Sequence, residues 1–272
     1  MRTLHFYFLL ALFVVNAQAQ ITVSPPVVFM NSKNSFGTFL VENKTSEAQE
    51  VSIKFRFGYP VSDSVGTLSM QYNDFIAETQ HSLVSWIKGS PRKFFLPPGT
   101  QQIIRLNTQP PPDLSDGMYW SRIITSAQPQ AKRIDTVRSG ITTQINFVFE
   151  QITTVLYSKG SLNTDLDITN PFIVEDSANI NLVWTTVKKG NAPYFGTAEV
   201  KLFDENGSVV DETVETLGIY MTMNKRASFN RTKVKPGTYT AEISMVTERN
   251  DIASENIVQL PSIVKKIAFT IK

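Results

Sequence analysis

From residue 20 to the C-terminus, apolar residues recur at every second position in short runs that Gly, Pro, Asn and Asp interrupt. A side-chain period of two belongs to strands, because successive Cβ atoms point to opposite faces of a sheet. The runs include Thr22 to Phe29, Gly37 to Glu42, Glu50 to Phe57, Gln101 to Leu106 and Met118 to Thr125. No stretch of helical length carries capped apolar spacing at three and four residues; Asp74 to His81 fits one short helix. Many short strands separated by turn residues predict an all-β chain built as sandwiches.

The pattern breaks at Ser158-Lys159-Gly160-Ser161, a small polar stretch after a long β run, and resumes at Asn181 to Val187, Thr197 to Phe203, Arg226 to Phe229, Thr238 to Val246 and Lys266 to Ile271. Glu205-Asn206-Gly207-Ser208 is a hairpin signal, since Asn-Gly accepts the positive φ of a tight turn. Pro236-Gly237-Thr238 opens a strand in the second half as Pro98-Gly99-Thr100 does in the first. Trp184, Tyr194, Phe195, Tyr220 and Tyr239 read as core aromatics of the second half. Two sandwiches in tandem are expected, over residues 20–159 and 160–272.

Residues 1–19 read differently. Arg2, an apolar run from Leu4 to Val15 and then Ala17-Gln18-Ala19 have the order of a cleaved signal peptide. The run is shorter than the ~20 apolar residues of a bilayer span, and no later segment reaches that length, so no membrane insertion is expected after cleavage. Removing 19 of the 272 residues leaves 253, ample chain for two cores. Cys is absent, so in an exported protein packing must hold the fold without disulfides.

Several function classes lack their raw material. Lys+Arg 26 against Asp+Glu 24 leaves no electrostatic footprint for nucleic acid. Of 2 His only His81 lies beyond the leader, so a Ser/His/Asp or Cys/His system would rest on one imidazole, and a structural zinc or other metal has almost no ligands. No cofactor motif is present. An enzyme is not expected; a hydrolase would need His81 or a carboxylate pair in a polar cleft. The sequons at Asn43, Asn206 and Asn230 read as chance matches.

One segment exceeds what a sandwich needs. Ile141 to Tyr157 runs without Gly or Pro, and at about 3.3 Å per residue it can reach more than ~50 Å, against ~20 Å for a common strand. Ile141, Ile145, Phe147 and Phe149 share one face, with Thr142, Gln144, Asn146 and Glu150 on the other. Beyond Gln151, Ile152 and Leu156 change phase while Val155 and Tyr157 keep it, as in a strand whose two ends pack against different things. All of these fit ordinary core residues. An exposed apolar edge of this kind is otherwise a hazard until a partner strand covers it.

The first half resembles the N-terminal domain of periplasmic pilus-assembly chaperones of the PapD type. The resemblance rests on Ile21-Thr22-Val23-Ser24-Pro25, Val41-Glu42-Asn43, Phe95-Leu96-Pro97-Pro98-Gly99 leading to Ile104-Arg105-Leu106, Asp116-Gly117-Met118-Tyr119, and the strand closing at Leu156-Tyr157. It implies two immunoglobulin-like domains, a periplasmic or alternatively surface or secreted location, and a role in fimbrium biogenesis. It also implies a pilin-like subunit as partner, with an outer-membrane usher beyond it. By position, Ile141, Ile145, Phe147 and Phe149 match the strand that such chaperones lend to an incomplete subunit. The family anchors the subunit's terminal carboxylate on two basic residues, and here those positions are Pro26 and Thr154, neither of which is basic. Lys159, Arg105 and Arg122 are conceivable substitutes that read first as solvated surface charges. The ending from Lys265 to Lys272 is faintly similar to C-terminal secretion domains of some surface-decorated bacteria and equally to a last strand. The competing expectation is a structural or adhesive envelope module of the same fold, in which Ile145, Phe147 and Phe149 are already buried within the chain.

Overall fold

The computed structural model describes residues 21–130 and 147–272; the expected leader, Ile141 and Ile145 lie outside the described residues. In chain order the elements are β1 (Ile21–Ser24), β2 (Val27–Asn31), β3 (Phe36–Asn43), β4 (Gln49–Arg56), β5 (Tyr59–Ser62), β6 (Leu68–Gln71), α1 (Phe75–His81), β7 (Ile87–Ser90), β8 (Lys93–Leu96), β9 (Gln101–Thr108), β10 (Gly117–Pro129) and β11 (Phe149–Lys159). They continue with β12 (Thr164–Glu175), β13 (Asn179–Gly190), β14 (Tyr194–Phe203), β15 (Val209–Ile219), β16 (Met223–Asn230), β17 (Gly237–Val246) and β18 (Ile263–Ile271). The fold is all-β, as the alternation predicts, and the final residues form a sandwich strand.

Sheet β1-β3-β9-β7 packs on sheet β2-β11-β10-β4-β8 around a core that includes Phe39, Ile53, Trp86, Ile104, Ile123 and Val155. Sheet β12-β13-β16 packs on β15-β14-β17-β18 around Trp184, Tyr194, Leu202, Phe229, Tyr239 and Ile243. The run Thr22 to Phe29 is two strands rather than one. Pro25 and Pro26 have no N–H to give a ladder, so pairing stops; β1 joins β3 in one sheet and β2 joins β11 in the other.

The short framework pieces have structural roles. Asn43 is fully buried; its amide donates to the carbonyls of Glu47 at 2.8 Å and Leu96 at 2.9 Å, and its Oδ1 accepts from the Thr45 N–H at 2.9 Å. Asp74 caps α1, accepting from the Ala77 N–H at 3.0 Å. The Ser158–Ser161 stretch is tied down: Gly160 has φ +63°, a Cβ there would lie 1.9 Å from the Asp116 carboxyl, and that carboxyl accepts from the Ser161 N–H at 2.9 Å.

A third apolar cluster joins the two sandwiches. Phe57, Tyr59, Met118, Trp120 and Leu156 of the first meet Phe195, Tyr220, Ile252 and Ile257 of the second. Phe195 and Tyr220 therefore belong to the junction, not to the second core. Trp120 is its centre, with Phe57 stacked at 5.5 Å, His81 stacked at 4.9 Å and Tyr220 edge-on at 4.9 Å.

The β5–β6 hairpin reaches across the same junction. Ser62 Oγ accepts the Asn224 N–H of β16 at 2.7 Å, and the Asn224 amide donates to the Asp63 carbonyl at 3.1 Å. Gly66, at φ +80°, lies so close to β16 that a Cβ would meet Arg226 Cβ at 2.8 Å. No helix among the described residues is long and apolar enough to cross a membrane.

Candidate functional site

β11 does two different things along its eleven residues. Its whole length pairs antiparallel with β10, from Phe149 opposite Ala127 to Lys159 opposite Gly117. Its other edge is taken by β2, which runs parallel to it, but only from Thr154 opposite Val27 to Ser158 opposite Asn31. Among the described residues, the edge from Phe149 to Thr153 has no strand beside it. Its N–H and C=O groups are therefore free to pair with an added strand.

The faces of β11 explain the phase change in its sequence. Val155 and Tyr157 point into the first core, and Phe149 packs half-buried at its rim. Leu156 points the other way, into the junction cluster. Val148, just before the strand, and Ile152 on it are exposed at 56 and 47 %, so Ile152 is not a core residue. Phe147, just before the strand, is 69 % exposed. The expected donor residues thus divide: Phe149 rests on the chain's own core, Phe147 is open, and Ile141 and Ile145 lie outside the described residues.

Pro26 and Thr154 are brought together, since the Thr154 N–H donates to the Pro26 carbonyl at 3.0 Å. A cation stands beside them after all. Arg122 of β10 is directly opposite Thr154 in register, and its Nη1 donates to the Thr154 hydroxyl. Its Nε donates to the Gly58 carbonyl at 2.9 Å, and its guanidinium lies 4.8 Å over the Tyr220 ring. Only 8 % of Arg122 is exposed, so it is no solvated surface charge. Among the described residues no carboxylate pairs with it, and its buried Nη2 has no hydrogen-bond partner. Arg56, its cross-strand neighbour on β4, donates to the Asn73 side-chain carbonyl at 3.0 Å and lies over the Tyr72 ring. The other substitutes are placed elsewhere: Arg105 is exposed on β9 and the Lys159 ammonium donates to the Leu114 carbonyl.

Arg122 and Thr154 line a cavity of about 270 Å³ between the sandwiches. Its other cations are neutralised, Lys225 by Glu215 at 2.5 Å and Arg249 by Asp251 at 2.6 Å. A second junction cavity of about 300 Å³, lined in part by Met30, Leu156, Leu162 and Ile257, carries Glu255 and no cation. A buried guanidinium without a counter-charge is costly, and with Nε and Nη1 already donating to Gly58 and Thr154 its Nη2 is the charged donor left for a carboxylate.

His81, the imidazole on which any hydrolase would rest, stacks on Trp120 in the junction. Burial and, secondarily, the charge of Lys188 hold its pKa below the ordinary value of 6.5. Burial also pushes the Lys188 ammonium down to about 8. Among the described residues no group of three or more His, Asp or Glu is placed to hold a metal.

No family model matches the chain, and no curated protein matches it. Among solved structures it is similar to the YadV chaperone, at 10% identity over 92% of this chain and 100% of that chain with a TM-score of 0.48. It is similar to a chaperone–tip adhesin complex of CFA/I fimbriae biogenesis, at 15% identity over 91% and 98% with a TM-score of 0.43. A third similarity is to the Salmonella enterica SafA pilin in complex with the SafB chaperone, at 10% identity over 92% and 97% with a TM-score of 0.44.

Proposed function

We propose that the chain is a divergent chaperone of the PapD type, which works without catalysis in the periplasm. In this reading residues 20–159 and 160–272 are its two domains, and it binds and caps a pilin-like subunit by adding the β11 segment to the subunit's incomplete sheet. The observation that carries the reading is the edge of β11 from Phe149 to Thr153, which no strand among the described residues pairs, preceded by exposed Phe147 and ending at Arg122. Backbone pairing along such an edge supplies affinity, and alternate side chains supply specificity.

The geometry also favours one orientation for the guest. β2 takes the edge from Thr154 onward, so a guest strand paired with Phe149 to Thr153 must end or turn away there. A guest parallel to β11 ends with its C-terminus, and its carboxylate meets Arg122. An antiparallel guest would bring an ammonium to the same guanidinium and be repelled. Arg122 then supplies the charge that Pro26 and Thr154 lack, from the neighbouring strand. Release of the guest to an outer-membrane usher belongs to the same reading.

The test is affinity capture of the tagged chain from the envelope of its native host, followed by the same experiment with Phe147→Asp. A β-rich subunit should co-purify with the parent chain and be lost from the variant. An association that survives Phe147→Asp would sink the proposal. The half-burial of Phe149 against the first core favours the second reading, a structural or adhesive envelope module, and that reading predicts no captured subunit.

A further inference from the structure

The cavity at Arg122 has more than a charge in it. Its walls include Val27, Pro60, Leu68 and Met70 from the first sandwich and its hairpin, and Phe195 and Tyr220 from the second. Leu68 and Met70 are 52 and 38 % exposed, an unusual position for two apolar side chains on a four-residue strand. They are held there because the hairpin is clamped to β16 through Ser62 and Asn224 at 2.7 Å. One unpaired guanidinium is therefore set among fixed apolar walls, while Lys225 and Arg249 are already satisfied by Glu215 and Asp251.

The size narrows the occupant. About 270 Å³ is smaller than the ~300–1,000 Å³ of pockets that enclose drug-sized ligands. It suits one residue rather than a chain passing through. The β11 edge leads to it, since the edge closes at Thr154 beside Arg122.

We infer that this cavity is a selectivity pocket for the last residue of the guest strand, taking a large apolar C-terminal side chain between the β5–β6 hairpin and Tyr220 while the carboxylate binds Arg122. The inference rests on the chain-end reading above and adds to it the identity of the final side chain. A polar or absent side chain would leave the apolar walls unfilled and forgo their burial.

The probe is a set of N-terminally labelled eight-residue peptides of alternating Val and Thr, titrated into the mature chain by fluorescence anisotropy. The set ends in Phe with a free carboxylate, in Gly with a free carboxylate, or in Phe with an amide. Burying an aromatic side chain predicts that the Phe acid binds at least about tenfold tighter than the Gly acid. Losing a charge-assisted hydrogen bond predicts that the Phe amide binds about tenfold more weakly than the Phe acid. The double variant Leu68→Ala/Met70→Ala, at exposed positions outside both sandwich cores, should bring the Phe-to-Gly ratio within about twofold while leaving the acid-to-amide ratio unchanged. Equal affinity for Phe and Gly acids, or a Phe preference that survives the double variant, with the acid preference intact, overturns the pocket and leaves the chaperone reading standing. Acid and amide binding alike, or no peptide binding, overturns the chain-end reading and the pocket with it.

Discussion

Replacing Arg122 with Met removes the buried guanidinium but keeps a long apolar stem in the junction. Lost are the bonds to the Gly58 carbonyl and the Thr154 hydroxyl and the placement over Tyr220 at 4.8 Å. Two charged hydrogen bonds at ~1.5–3 kcal/mol each and a cation–π contact of about 0.5–2 kcal/mol come to roughly 5 kcal/mol. Removed at the same time are the desolvation penalty of a buried ion, several kcal/mol, and the orphaned Nη2 at about 1–3 kcal/mol. The two sides are of equal size, so Arg122→Met should shift the unfolding free energy by less than about 2 kcal/mol in urea titration. Binding of a free-acid peptide has no such compensation. Truncating one partner of a buried charge pair costs at least ~2 kcal/mol, or roughly a 30-fold loss of affinity. A variant destabilised by ~3–5 kcal/mol, the size expected for a paired internal charge, with peptide affinity unchanged, would refute the assignment and make Arg122 a structural residue.

Asn43→Ala takes the side-chain donor from the Leu96 carbonyl and the Oδ1 acceptor from the Thr45 N–H, at about 1–3 kcal/mol for a buried group left unpaired; the urea midpoint should fall accordingly, and an unchanged midpoint would contradict the framework role. Because burial holds His81 below 6.5 in the folded chain, the unfolded chain binds more protons in that range, and stability falls on acidification through it. His81→Phe keeps a ring on Trp120 and should flatten the stability profile between about pH 7 and 5; the carboxylates held low, Asp63, Asp74, Asp176, Asp211 and Asp251, lose their contribution as the pH falls below their ordinary 3.8. Gly66→Val, at φ +80° and with no room against Arg226, costs about 1–3 kcal/mol in backbone conformation alone. It should lift the hairpin from β16 and open residues 63–67 to protease; resistance equal to the parent would count against the clamp.

The alternation of apolar residues was enough to read an all-β chain and most strand positions, because period two depends only on local backbone geometry. It could not show which outer faces a second sandwich covers. Arg122, Met118 and Trp120 all point outward from the first sandwich, and only the tertiary junction makes that side an interior. For the same reason Phe195 and Tyr220 read as core of the second half, and the inward aromatics Trp184, Tyr194 and Tyr239 were indistinguishable from them. Pro25-Pro26 carried a legible signal, two missing N–H groups, that outweighs the apolar run around it. The β5–β6 hairpin had little signal of its own. Its strands are four residues each, and its partner is β16, more than 150 positions away in the chain.

The free edge of β11 is short. Among the described residues β2 leaves a guest the five positions from Phe149 to Thr153, and ladder bonds contribute about 0.5–1.5 kcal/mol each. Backbone pairing over that length amounts to only several kcal/mol, before the cost of immobilising the guest. Residence time at the edge is therefore set by what lies at its two ends, Phe147 and the Arg122 cavity. A competitor that displaces the guest at either end needs to unzip only a few bonds to take its place, so exchange between partners can be fast without any motion of the sandwiches.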